Sequence, residues 1–131
     1  MYFLSIMEWV LPIGLGLIIG LLVASRKSHD YSQLIYLEAE EFRQNMRKGQ
    51  LLDLRKELEY ASKKINGSRN FPKRTIFAQL NKIRKDQAVF IYDNTSSSLL
   101  RSVGKKLIKK GYHPIYLLKG GLESWTFNLK E

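Results

Sequence analysis

From residue 37 to the C-terminus the chain repeats one alternation, a short β-forming apolar run followed by a segment whose apolar residues return every three or four positions. Leu37, Phe42 and Met46 share a helical face ahead of a stop at Gly49. "LLDLR" (51–55) is then a short strand and "KELEYASKK" (56–64) a short helix, and "INGSRNFP" (65–72) turns at Asn66 and Gly67. Ile76, Phe77, Leu80 and Ile83 in "TIFAQLNKIRKD" (75–86) predict a further helix, and "QAVFIY" (87–92) is the most strand-like run of the chain. "SSSLLRSVGKKLIKKGY" (96–112) sets Leu100, Val103 and Leu107 on one face, Lys105, Lys106, Lys109 and Lys110 largely away from it, and Gly111 as its stop. "PIYLL" (114–118) is the last strand, before "KGGLESW" (119–125). This alternation predicts an α/β fold with a mostly parallel sheet covered on both faces. Right-handed crossovers then gather the strand carboxyl ends on one side, the side where such sheets bind ligands.

Residues 1–25 are of a different kind. Trp9 to Ala24 is an uninterrupted apolar run, and Glu8 is the single charge in the first 25 residues. As a helix the run is about 24 Å long, and the flank "MYFLSIM" brings it up to a ~30 Å hydrocarbon core. No Lys or Arg precedes it and no A-x-A site follows it, which argues against a cleaved signal peptide. Arg26 and Lys27 come directly after it, so the positive-inside rule puts the remainder in the cytoplasm, as a single-pass protein of the cell membrane. The expected organisation is an anchor over 1–25, a linker over 26–34 and one domain over 35–131. Gly16 and Gly20 form a GxxxG pair, a weak signal for anchor dimerisation.

All of the Lys and Arg lie at or after Arg26, so 22 cations there stand against 11 acids. That balance suits an anionic neighbour, such as an acidic protein or the inner leaflet of a membrane. The charge is spread out and carries no interleaved aromatic platform, so nucleic acid is not the expected partner. The chain has no cysteine, which excludes disulfides, thiolate metal ligands and thiol nucleophiles. No metal-ligand cluster stands out and no cofactor is expected. His29 falls in the linker and His113 in a turn before Pro114, neither with an evident acid–base partner.

The segment with chemistry in it is "FIYDNTSSSLLRS" (90–102). A strand there delivers Asp93 to a run of small polar residues, Asn94, Thr95, Ser96, Ser97 and Ser98, which leads into a helix. Such a loop points backbone N–H groups inward and, with the helix N-terminus, favours negative charge. Two readings follow. Asp93 folds over the loop as a built-in anion that caps the helix and turns external anions away, Asp and Ser being favoured caps. Alternatively the loop binds a small polar ligand or a protein side chain through its hydroxyls. A serine nucleophile would want a G-x-S-x-G elbow and a base, and neither is present.

Taken together, "LLDLR" with Glu59 and Tyr60 behind it, "INGSRNFP", "VFIYDNTSSS" and "LKGGLESW" resemble a single rhodanese-like domain, over about Leu37 to Trp125. The resemblance implies a three-layer α/β/α domain with a mostly parallel five-stranded sheet. It also implies that Asp93 stands where active members carry a nucleophilic cysteine that becomes a persulfide. Asp53, Arg55, Gly67, Gly120, Gly121 and Trp125 match motif positions expected to be structural, with Asp53 and Arg55 as a pair near a strand end. The loop lacks the glycines and arginine usual in the family and is about one residue longer. The function expected is a catalytically inactive, membrane-tethered binding or regulatory module with a protein partner. The alternatives are an enzyme using Asp93 as acid/base or nucleophile on a small anionic substrate, an accessory protein of sulfur metabolism, and a structural tether.

Overall fold

The computed structural model describes residues 29–131. The expected anchor over 1–25, the Gly16/Gly20 pair and the first part of the linker lie outside the described residues. No helix among the described residues is long and apolar enough to cross a membrane.

Five strands, β1 (Leu34–Leu37), β2 (Gln50–Asp53), β3 (Arg69–Asn70), β4 (Val89–Tyr92) and β5 (Ile115–Leu118), form one sheet in the order β1-β5-β4-β2-β3. Every pairing is parallel, with Asp53 opposite Tyr92 and Ile91 opposite Leu117. β2 and β4 lie inside the sheet and all their residues are buried, which explains the unbroken apolar sequence of β4 and the apolar Leu51–Leu52 centre of β2.

The described residues form three helices, α1 (Ala39–Asn45), α2 (Glu57–Ser62) and α3 (Ser98–Lys109); α1 and α3 pack on the sheet, and α2 buries no residue. Alternate residues of β4 face opposite layers, as the period of two requires. Val89 and Ile91 pack with Leu100, Val103 and Leu107 of α3, while Phe90 and Tyr92 pack with Phe42 of α1, Met46 and Trp125. Leu100 and Leu107 are fully buried, and each such burial stabilises by roughly 1.5–3 kcal/mol. α3 ends where the Gly111 N–H bonds the Ile108 carbonyl and the Tyr112 N–H the Leu107 carbonyl, each at 3.0 Å.

Two features depart from the sequence expectations. "LIYL" is strand β1, so regular structure begins at Leu34, inside the span assigned to the linker, and Leu37 closes a strand rather than opening a helix. β1 is an edge strand tied only to β5, and four residues flanked by polar chain carry too little periodicity to be noticed. The helix expected over 75–86 is instead two 3₁₀ turns, Ile76–Ala78 and Leu80–Lys82, broken at Gln79, whose φ is −121° and ψ 19°. Ile76 and Ile83 still reach the core. The segment then gives up helical bonding at Arg84, whose N–H and carbonyl are both held by the Gln50 side chain, at 2.7 and 2.8 Å.

Candidate functional site

Asp93 follows the last residue of β4, and its neighbours at that end of the sheet come from the chain just beyond β2, β3 and β5. Its side chain is almost fully buried, and both carboxylate oxygens are engaged. Oδ1 accepts the Asn94 N–H at 2.8 Å, and Oδ2 accepts a hydrogen bond from the Lys73 ammonium. Lys73 lies three residues past β3, where its own N–H bonds the Leu54 carbonyl at 3.2 Å.

This geometry corrects the capping reading of Asp93. Its carboxylate takes one loop N–H, that of the adjacent residue, and the N-cap of α3 is Ser97, whose side chain makes no capping bond. Nor is Asp93 a bare negative charge at the mouth of a pocket, because Lys73 neutralises it in contact.

The rest of the loop is stapled to neighbouring elements. The Asn94 amide donates to Glu59 Oε2 at 2.5 Å, linking the loop to α2. The Asp93 and Asn94 carbonyls accept the N–H groups of Leu122 and Glu123 at 2.9 and 3.0 Å, and Ser96 Oγ accepts the Gly120 N–H at 2.9 Å. Gly121 makes this approach possible. Its φ is +63°, and a Cβ there would stand 2.5 Å from the Asn94 carbonyl oxygen and from Thr95 Cα. Thr95 and Ser98 are exposed, and Ser96 and Ser97 half-buried. Among the described residues, the N–H groups from Thr95 to Leu100 bond no protein acceptor, so the loop and helix start hold a set of unpaired donors.

Beneath the loop, Arg55 folds back on Asp53. Its Nε donates to Asp53 Oδ1 and Oδ2 at 3.1 Å each, one terminal nitrogen donates to Oδ2 at 2.8 Å, and its own N–H donates to Oδ1 at 2.8 Å. The same guanidinium donates to the Lys63 carbonyl. Burial by itself would lower the Arg55 pKa, but the Asp53 carboxylate outweighs it and the pKa is raised. Tyr92 shares this region. Its hydroxyl donates to Ser68 Oγ at 3.1 Å and accepts the Ile65 N–H at 3.2 Å. Burial, and then the charge of Asp53, push the phenol well above its usual pKa.

The remaining motif residues are spread out. Gly67 is in the turn before β3, at φ +89°, with open space around it, and Gly120 precedes the loop contact at φ +77°. Trp125 packs edge-on against Phe42 and Phe127, its indole N–H buried without a partner among the described residues. His113 is exposed at the entry to β5, and His29 is the first described residue, so neither imidazole belongs to the site.

Two clefts flank the loop. One, of about 570 Å³, is lined by Arg55, Leu58, Glu59, Asn94, Leu122 and Leu129; Leu58 is 87% exposed on its rim. The other, of about 590 Å³, lies between α3 and the first 3₁₀ turn and is lined by Lys73, Arg74, Phe77, Leu99, Val103 and Lys106. Lys73 is the site residue that sequence reasoning missed. A cation just after "NFP" was the available signal, but only the crossover from β3 to β4 brings it to Asp93.

Comparison with known proteins agrees with this architecture. The rhodanese-like domain family matches residues 38–128. An uncharacterized protein of Bacillus subtilis (strain 168), YqhL, is 38% identical over 105 residues, covering 79% of this chain and 82% of its own length. Among solved structures, a rhodanese-related protein from Thermoplasma volcanium superposes with a TM-score of 0.66 at 18% identity, over 72% of this chain and 96% of that one. A rhodanese-like domain protein from Staphylococcus aureus gives 0.65 at 21% identity, over 72% and 95%. At these identities the structural likeness speaks to the fold.

Proposed function

The chain belongs to the rhodanese-like domain family, and on that premise we propose that it is a non-catalytic member, held at the cytoplasmic face of a membrane by residues 1–25, whose Asp93–Ser98 loop is a binding or regulatory surface for a protein partner. The observation that carries this reading is the state of Asp93. A persulfide cannot form on a chain without cysteine, and the residue at the head of the loop is a carboxylate with both oxygens already in use. A nucleophile or general base has to reach its substrate, whereas the Asp93 carboxylate is 6% exposed and turned toward the Lys73 ammonium and the Asn94 N–H. Unpaired loop N–H groups, loop hydroxyls and the exposed Leu58 and Leu99 beside them supply polar and apolar contacts suited to a protein segment. The tether is supported by the apolar run Trp9–Ala24 and the Arg26–Lys27 pair that follows it.

Two comparisons on the full-length, detergent-solubilised protein test the proposal. Wild type and Asp93→Asn are expected to give equal, background rates on a panel of phosphate esters; turnover that depends on Asp93 would overturn the non-catalytic reading. Affinity capture is expected to lose its partner when residues 93–98 are replaced by glycine and to keep it when residues 1–25 are deleted. Capture that survives the loop replacement and fails on the deletion would make the protein a structural tether instead.

A further inference from the structure

The two ends of the sheet differ in charge. The segments leading into β1, β2, β4 and β5 form one surface, stitched by the bonds Gln50 N–H to Ala88 carbonyl, Val89 N–H to Pro114 carbonyl and Ile115 N–H to Gln33 carbonyl, at 2.8–3.0 Å. Six exposed cations project from it or its margin: Arg47, Lys48, Arg84, Lys85, Lys109 and Lys110. Two acids, Asp30 and Asp86, accompany them, and Asp86 is taken up by Arg84 at 2.6 Å. Lys85 lies over the Tyr112 ring at 5.6 Å and beside Gly111, so the cations from the β4 and β5 approaches sit together. At the opposite end, around Asp93, the six cations Arg55, Lys56, Lys63, Lys73, Arg74 and Lys119 are balanced by six acids, Glu38, Asp53, Glu57, Glu59, Asp93 and Glu123. Of the two ends, the one where the strands begin therefore carries the positive excess.

That is also the end at which the N-terminal segment joins the domain. Tyr31 packs on the core beside Lys105, whose ammonium is 5.3 Å from its ring, and β1 starts three residues later. Only residues 25–30 separate Ala24, the last residue of the apolar run, from Tyr31. Even fully extended, that stretch reaches about 25 Å. A tether this short keeps the basic end within a few screening lengths of whatever holds the apolar run.

We propose that this basic end lies against an anionic bilayer surface, so that the Asp93 loop is held on the far side, facing the aqueous phase. The inference rests on the membrane tether proposed above. Each Lys or Arg close to an anionic leaflet favours apposition by about fivefold, so the four positive charges left at this end after Asp30 and Asp86 are offset set the orientation against free tumbling. The consequence is that the candidate binding surface stays open to soluble partners while the domain is docked.

The absence of cysteine makes the test direct. Single-cysteine variants Gln33→Cys, at the basic end, and Leu58→Cys, beside the loop, are labelled with a fluorophore in the full-length chain. They are reconstituted into phosphatidylcholine vesicles with or without phosphatidylglycerol, both carrying a headgroup nitroxide quencher. At about 0.1 M salt, where the screening length is roughly 10 Å, quenching in anionic vesicles is expected to be about fivefold or more greater at position 33 than at 58. The difference should shrink to what the tether alone gives in neutral vesicles, at about 1 M salt and in a Lys85→Glu/Lys109→Glu/Lys110→Glu variant. Equal quenching at the two positions, or stronger quenching at 58, would overturn the proposal. So would an unquenched basic end on a protein that binds an RNA duplex, since those cations would then serve nucleic acid. Flotation at about 1 M salt reports the tether alone. Protein that floats with equal quenching sinks the orientation and leaves the anchor standing. Protein that fails to float has no anchor, and its quenching at about 0.1 M salt still decides whether the basic end meets lipid.

Discussion

Asp93 and Asp53 are both buried carboxylates paired with a cation, yet they should respond differently to substitution. Arg55 is 6% exposed, so Asp53→Ala leaves a buried guanidinium uncompensated and is expected to lower the unfolding free energy by about 3–5 kcal/mol. Lys73 is 31% exposed and can turn to solvent, and the carboxamide of an Asp93→Asn variant would still accept the Asn94 N–H. That substitution is therefore expected to cost only about 1 kcal/mol. Urea unfolding of the two variants beside wild type measures both. Tyr92 adds a pH dependence whose sign is fixed by its raised pKa. Above about pH 10 an unfolded tyrosine releases its proton while folded Tyr92 keeps it, so the stability present below about pH 10 falls as pH rises further. Tyr92→Phe should flatten that alkaline decline, at the expense of about 1 kcal/mol near neutrality for the lost bonds to Ser68 and Ile65. An alkaline decline equally steep in both proteins would contradict this account.

At the level of elements, the join between the β4–α3 loop and the turn after β5 depends on Gly121. Gly121→Ala adds left-handed strain and a methyl group against loop backbone, and should lower stability by several kcal/mol while displacing Asn94 and Thr95. Gly67→Ala is its control. The φ is equally unfavourable there but nothing lies within 4 Å, so about 1 kcal/mol is expected. Thermal melts that rank the two the other way round would show that the loop is not held in this manner. The elements differ in how far their sequences declare them. β2, β4, β5 and α3 are legible because burial on one or both faces imposes a period or an unbroken apolar run. β1 is hidden because its partner β5 lies at the far end of the chain, and the stretch 75–86 misleads because core contacts at Ile76 and Ile83 imitate helical spacing without helical bonds.

For the molecule as a whole, the place of the Asp93 loop in the fold was legible and its contacts were not. The end of β4 marks the loop, but nothing in periodicity joins Asp93 to Lys73, Asn94 to Glu59 or Ser96 to Gly120, because those contacts come from crossovers that bring distant segments to one end of the sheet. The central claim is that a rhodanese-like domain has here been turned from sulfur chemistry to binding. The most direct measurement is transfer of the outer sulfur of labelled thiosulfate to cyanide by the purified full-length protein, with the chain itself recovered and counted for bound label. The account predicts a rate equal to the protein-free control and no label on the chain; turnover above that control, or sulfur held covalently on the polypeptide, would contradict it.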